Sequence, residues 1–500
     1  MTTEQQLPEG WKTQPLQNLL SYVIGGDWGK DENYDDENFI LVNCIRGAEF
    51  RNWKNDKAST AALRKIKISS LQNRQIQEND ILIEISGGGP EQPVGRTALI
   101  TKQVLSNFNN PVVCTNFLRL IRPNEKINST FLNYYLSYFY LSGKVIAYQA
   151  GSNNLRNLKF KEYERIGIPI PPIETQQAIV NKIESLFDEI DEGIGRLKTA
   201  AQQIQQYRQS LLKNAFNGEL TKEWRSKHAD ALPSENELLA QIQTTREQHH
   251  AQQLADWQTA VSQWEQNGKE GKKPSKPKAP TQAVKFEENF ADLPSGWGVV
   301  KLGTFIQNIQ AGKSFKCEER PPINDEIGVA KVSAVTWGEY DENETKTCFD
   351  ESRINPDLFI KTGDFLFSRA NTIELVGACV IVKKINKTIM LSDKTLRIHF
   401  TNILEKYVLY YLRSSDGRKQ IMDKSSGNQE SMRNIGQERI KDIDIPVCSL
   451  AEQTQIVAIL ESKLTACDQL AAELAKQLKQ AELLKQVVLK AAFSGNLLDK

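Results

Sequence analysis

The sequence predicts an α+β fold: two mixed α/β blocks separated by two long antiparallel coiled-coil helices, with a pseudo-two-fold internal repeat. Three observations predict it. "IPIPPIETQQAIVNKIES" at 168–185 returns as "IPVCSLAEQTQIVAILES" at 445–462, an offset of 277. "LPEGW" at 7–11 returns as "LPSGW" at 293–297, an offset of 286. Behind each copy of the first repeat, apolar residues recur at alternating steps of four and three, the heptad signature of helix packing on helix.

The elements follow in order. Residues 1–170 and 293–447 read as the two α/β blocks. Short β-branched and aromatic runs ("ILIEIS", "FLRLI", "CVIVKK") are broken by Gly, Asn and Pro clusters, as strands and turns require. "TFLNYYLSYFYL" predicts a helix. The blocks differ strongly, yet "NDILIEIS" (79–86) resembles "GDFLFSR" (363–369). A Val-Gly pair follows in each (Val94-Gly95, Val376-Gly377), and "YYL" recurs at 134–136 and 410–412.

Residues 171–222 and 448–500 read as the repeated helices. Pro171-Pro172 ends a strand and opens the first of them. Its seam is Ile183, Phe187, Ile190, Ile194, Leu197, Ala201, Ile204, Leu211 and Ala215. The second seam is Leu460, Leu464, Cys467, Ala471, Leu474, Leu478, Ala481, Val488 and Ala492. One seam position is basic in both copies, Arg208 and Lys485. It either snorkels near a helix end or docks another subunit. A rod of about forty residues spans roughly 60 Å, longer than one ~34 Å turn of duplex DNA. Residues 223–292 read as a helical linker with a Lys/Pro tether. Ser234 and Glu237 form a capping box before a helix with Leu238, Ile242, Leu254, Trp257, Val261 and Trp264 on one side. "GKEGKKPSKPKAP" (268–280) then predicts a stiff, extended, solvated tether.

Composition narrows the function. Five hundred residues exceed one hydrophobic core. A net charge of +1 argues against gripping nucleic acid by bulk charge, though not through local patches or a basic partner. Seven cysteines without a CxxC, no signal-peptide core and no membrane-length apolar run predict a cytoplasmic protein with no membrane association. Four histidines, none spaced with cysteines as ligands, predict no metal site. "AGKS" at 311–314 lacks the first glycine of a phosphate loop, Gln307 standing in its place. No GxSxG, HExxH or amino-methyltransferase tetrapeptide occurs. These blocks are expected to bind rather than react, so the chain is not by itself an enzyme.

With the paired "LPxGW" openings, the "GDFLFSRANTIELVG" segment, the two helix starts and the helix ends "AFNGELTKEWR" and "AFSGNLL", the chain resembles the specificity (S) subunit of type I restriction-modification enzymes. The likeness covers essentially the whole chain. It departs at "IPVCSLAEQ", which lacks the double proline, and at "EISGGGPEQPVG" in the first block. The resemblance implies that each block is a target recognition domain reading one half of a split, asymmetric DNA site. It further implies that the helices form a spacer docking two modification (M) subunits, which bind S-adenosylmethionine and methylate adenine. Restriction (R) subunits would add ATP- and Mg2+-dependent cleavage, and this chain would bind no cofactor itself. A competing reading is a non-catalytic coiled-coil adaptor whose outer domains bind proteins.

Base edges are read by Arg, Lys, Asn and Gln, each bidentate contact contributing about 1–3 kcal/mol of discrimination. The candidate DNA contacts in the first block are Arg46, Arg51, Asn52 and Lys54 of "IRGAEFRNWKN", and Ser152, Asn153 and Arg156 of "GSNNLRN". Those in the second are Lys313, Ser314, Lys316 and Arg320, then Lys331 and Ser333, then Arg369 and Asn371 of "SRAN". Ser426, Asn428, Gln429 and Arg433 of "SSGNQESMRN" complete them. Small donors beside arginine suit phosphate clamping. The helix–helix and partner-docking candidates are Ile183, Phe187, Ile190, Leu197, Arg208, Leu460, Leu464, Leu474, Leu478 and Lys485.

Overall fold

The computed structural model describes residues 7–89, 92–151, 156–271, 273–277, 285, 293–429 and 432–498, with the backbone alone at Asn428. Ser152 and Asn153 lie outside the described residues. The chain divides into two compact units: residues 1–200 with 473–500, and residues 201–472. Each unit therefore holds one α/β domain, the first half of one long helix and the second half of the other.

The two domains share one strand plan. In the first, Lys12–Pro15 pairs antiparallel with Gly167–Ile170, as Gly298–Lys301 does with Asp444–Val447 in the second. The four-stranded sheet runs Leu20–Gly25, Leu118–Pro123, Ile81–Glu84, Thr97–Leu99 in the first domain. It runs Ile306–Ala311, Thr395–Phe400, Phe365–Ser368, Cys379–Ile381 in the second. A three-stranded sheet follows in each, with one parallel edge: Phe39–Ile45 beside Val112–Cys114, and Ile327–Ala330 beside Ile389–Met390. A second small sheet joins Ser86–Gly88, Arg156–Leu158 and Gln149–Ala150, matched by Ala370–Asn371, Met432–Asn434 and Ser426–Gln429.

The repeated words of the sequence mark the joints of this plan. Asp80 and Asp364, the acids of "ND" and "GD", pair with Arg122 and Arg397 of the neighbouring strand, at 2.7 and 2.9 Å. Tyr135 and Tyr411, from the two "YYL" triplets, donate their hydroxyls to the carbonyls of Gly167 and Asp444. Gln176 is 1% exposed; it accepts from the Asn128 amide at 2.8 Å and donates to the Pro171 carbonyl at 3.0 Å. Gln453 does the same with Leu404 and Cys448, at 3.1 and 2.9 Å. Each glutamine thus satisfies an orphan group at the start of a domain helix (Ser129–Leu141 or Glu405–Arg413) and one in the turn before its own helix.

Ile173–Phe216 and Leu450–Phe493 are continuous helices of 44 residues each. In the first unit Ile179, Val180 and Ile183 share a core with Leu489, Ala492 and Phe493, while Asp191 meets Lys485 at 2.5 Å. One helix number rises as the other falls, so the segments are antiparallel. In the second unit Leu211, Leu212, Ala215 and Phe216 share a core with Ile456, Val457 and Leu460, and Arg208 pairs with Asp468. Adding the repeat offset to Asp191 and Arg208 gives Asp468 and Lys485, so both units use one register. The basic seam residues neither snorkel nor stand free; each meets an aspartate of the opposite helix. Ile183 and Leu460 are fully buried, whereas Phe187, Ile190, Leu197, Leu464, Leu474 and Leu478 are half-buried, as in a two-helix coil open to solvent on its flanks.

Phe493 packs edge-on against Phe131 and Tyr135, and Phe216 against Tyr407 and Tyr411. Just beyond each helix, Gly495 and Gly218 adopt φ +82°, and a β-carbon there would collide with the rings of Pro8 and Pro294. The "AFxG" ending of one repeat is thereby seated on the "LPxGW" opening of the other. The second unit adds a buried cluster: Glu452 accepts from Thr221, Arg225 and Trp297 at 2.8–3.0 Å.

The linker departs from expectation in one respect. Glu235–Gln266 is helical and carries the Ser234–Glu237 capping box, but only Leu238 and Ile242 are buried on it. Over its described residues, 268–271 and 273–277, the Lys/Pro segment is not a free tether. It turns back along the helix, where Trp257 and Trp264 donate to the carbonyls of Pro274 and Gly271, at 3.0 and 3.3 Å. Lys276 and Lys273 lie over the same two rings. Cation–π contact, about 0.5–1 kcal/mol at exposed sites, and the indole hydrogen bonds favour this back-fold.

Candidate nucleic-acid interface

In the second domain, the small sheet collects several of the predicted contacts. Asn371 stands opposite Arg433 and Ala370 opposite Asn434, with Ser426 on the outer strand. Arg369 is half-buried at the edge, its backbone bonded to Lys394 and Ile435. Arg433 is a scaffold residue: its guanidinium donates to the carbonyls of Gly427 and Ser425, at 2.9 and 3.0 Å, closing the hairpin. Asn371 caps the next turn through the Thr372 amide, and Gln429 is exposed at the hairpin end. Arg156, the counterpart of Arg433, donates to the Gly89 carbonyl at 3.1 Å.

The remaining predicted cations of the second domain do not join that sheet as one group. Lys313 and Lys316 are exposed, and Ser314 bonds Asp393. Arg320 grips Glu326 with two nitrogens, at 2.6 and 2.8 Å. That fork, with the Ile323 amide, holds the Glu326 carboxyl at about 2. Lys331 faces Glu319 at 3.6 Å and Ser333 donates to Glu344 at 2.5 Å. Among the described residues, Arg320, Lys331, Ser314 and Ser333 are thus engaged by acidic side chains of their own domain, while Lys313 and Lys316 are not.

In the first domain, Arg46 is locked by Glu49, whose side chain is buried: Nε donates at 3.0 Å and Nη2 at 2.5 Å, and Nη2 also reaches the Thr60 carbonyl. Lys54 is committed to Asp191 of the long helix, and Asn52 to Asn55. Arg51 is exposed. Arg46 and Arg51 line a half-open cavity of about 590 Å3, with Trp28, Glu84, Gln92, Arg96, Asn116 and Phe117. Its floor is the bidentate pair Arg96–Glu84, at 2.9 and 2.6 Å, with Arg96 also bonded to the Gly47 carbonyl.

Nothing in this arrangement resembles a nucleophile with its base. Burial pushes the Cys44 thiol up to about 12 and the Cys114 thiol higher still, which leaves both unreactive. No cluster of metal-ligating side chains occurs among the described residues, and no helix among them is long and apolar enough to cross a membrane.

The model of the "Type I restriction modification DNA specificity domain" family matches twice, over residues 8–198 and 294–480. The chain belongs to that family. It is 24% identical over 505 residues to the type I restriction enzyme EcoKI specificity subunit of Escherichia coli K12, covering 98% of this chain and 90% of the relative. It is 28% identical over 506 residues to the EcoEI specificity subunit of Escherichia coli, covering 94% and 80%. A solved chain from work on complex assembly and conformational transition of the type I R-M system shares the fold at TM-score 0.62, with 17% identity and coverage of 98% and 99%. The chain is a specificity subunit of the type I restriction-modification kind. Such subunits are the DNA-recognition component of their complexes, the methylase and restriction activities residing in other subunits.

The cavity residues Trp28, Glu84, Gln92, Arg96, Asn116 and Phe117 were not among those picked from the sequence. One signal was present: Glu84 is a charged residue inside the run "ILIEI", where every position of Ile81–Glu84 is buried. A buried carboxylate requires a partner, and Arg96 lies twelve residues on. The two target recognition domains diverge at this point. Sheet register places Glu84 opposite Leu118 and Ser368 opposite Thr395, the repeat equivalent of Leu118. Ser368 thus replaces Glu84, and Ala378 after the second Val-Gly replaces Arg96. Ser314 replaces Trp28, and Lys394 replaces Phe117.

Proposed function

We propose that the two target recognition domains of this chain read the two halves of a bipartite, asymmetric DNA sequence. The paired helices dock two modification subunits that methylate adenine, and restriction subunits join that assembly to cleave. One observation carries the reading: the strand plan is duplicated joint for joint, while the loop residues at corresponding places differ. A duplicated frame with unlike readers accepts two unlike half-sites, whereas a homodimer would require a palindrome.

Arg51, Lys313, Lys316, Arg369 and Gln429 are the predicted contacts whose side chains are neither hydrogen-bonded nor ion-paired among the described residues, and they are the first choices for touching DNA. Arg46, Lys54, Arg320 and Arg433 act by shaping the loops. S-adenosylmethionine, ATP and Mg2+ belong to the partner subunits in this scheme. A gel shift of the chain with its modification subunit, on duplexes of mapped and scrambled sequence, tests it. Preference for the mapped duplex is expected. Equal retention of both would favour a protein-binding adaptor instead.

A further inference from the structure

The half-open cavity of the first target recognition domain is shaped for a group that projects into it, and its lining selects the class of that group. Two of its three guanidiniums are already neutralised, Arg46 by Glu49 and Arg96 by Glu84. A phosphate would meet the Glu84 carboxylate and find only Arg51 uncompensated. A neutral planar ligand with donors and acceptors meets no such repulsion.

Glu84 is 3% exposed, and its carboxylate, held by Arg96, has acceptor capacity left for an amino group. Gln92 and Asn116 supply side-chain amides. Trp28 is pinned on one face by the Arg64 guanidinium at 4.4 Å, and Phe117 is 52% exposed; both present aromatic surface. Stacking surfaces around edge-reading polar groups are the makings of a pocket for an unstacked base. Base edges lie recessed in a duplex groove, so a concave wall cannot reach them unless the base turns out.

Resting on the DNA-reading function above, we propose that the first target recognition domain draws one nucleobase of its half-site out of the stack into this cavity. Glu84 accepts a hydrogen bond from the exocyclic amino group of that base, an adenine or a cytosine. With Ser314, Ser368, Ala378 and Lys394 at the corresponding places, the second domain has neither the ion pair nor the aromatic walls. This mode of reading is therefore confined to one half-site.

The test uses the assembled complex of this chain with its modification subunits, without methyl donor, on duplexes carrying 2-aminopurine next to each position of the mapped site in turn, so that the displaced base keeps its own amino group. A fluorescence rise is expected beside one position of the first domain's half-site, distinct from the base the complex methylates. At saturating complex, Glu84→Gln and Phe117→Ala should abolish that rise. Rises confined to the neighbours of methylated bases, or an unchanged rise in both variants, overturn the proposal. If melting shows that Glu84→Gln fails to fold, Phe117→Ala on its exposed loop carries the test alone. Failure of the wild-type complex to prefer its mapped duplex in a gel shift is a different result, and it would refute the DNA-reading function itself.

Discussion

Gln176 and Gln453 show what a repeated residue can mean. Each is a buried amide whose two ends are both spent on backbone groups with no helical partner. Replacing Gln453 by Leu leaves a buried amide and carbonyl unpaired, which costs about 1–3 kcal/mol. A denaturant titration of the full chain should show that loss. The repeat of these glutamines was legible in the sequence; their task was not, because one of the two groups each satisfies lies nearly fifty residues away. The same limit governs the charged candidates. Arg46, Lys54 and Arg320 are suitable DNA contacts by residue type, but Glu49, Asp191 and Glu326 claim them. Only three dimensions reveal a partner such as Asp191, which lies 137 residues from Lys54.

At the level of elements, the helices were the most legible part, since a heptad seam states its own geometry. The half-burial along the seam follows the predicted positions from Ile183 to Leu211 and from Leu460 to Val488. Leu197→Asp or Leu474→Asp places a charge in that seam, and either should abolish co-purification with the modification subunit. Normal assembly in both variants would refute the docking role. The ion pairs across the seam add a pH dependence. Burial raises the Asp191 carboxyl, but hydrogen bonds and charge from Lys485 and Lys54 outweigh it and hold the group below its usual value. A depressed carboxyl stabilises the fold fully above about pH 4, its unfolded value, and that stabilisation is lost as pH falls through the depressed value. The gap in melting temperature between wild type and Asp191→Asn should therefore be constant near neutrality and close in acid. What the periodicity could not show is the linker's back-fold, which rests on two indole hydrogen bonds with no repeat to betray them.

For the molecule as a whole, the fold class was readable because duplication leaves two copies to compare; the recognised bases were not, because the readers are where the copies diverge. Exchanging residues 12–167 for the block of another family member should change one half of the methylated sequence and leave the other intact. Single-molecule methylation mapping of cells expressing the hybrid would show it, and a change in both halves would contradict independent reading.

The crossed seating of each glycine hook on the opposite half's proline also has a consequence for shortened chains. A fragment of residues 1–227 retains a complete reader but lacks the closing arm at 473–500. Its own helix ends in the same "AFxG" hook, so a twin fragment can lend what is missing. Two such fragments should exchange arms and form a symmetric pair, and light scattering would register the doubled mass. Joined to the modification subunits, that pair would mark an inverted repeat, one half-site followed by its own reverse complement.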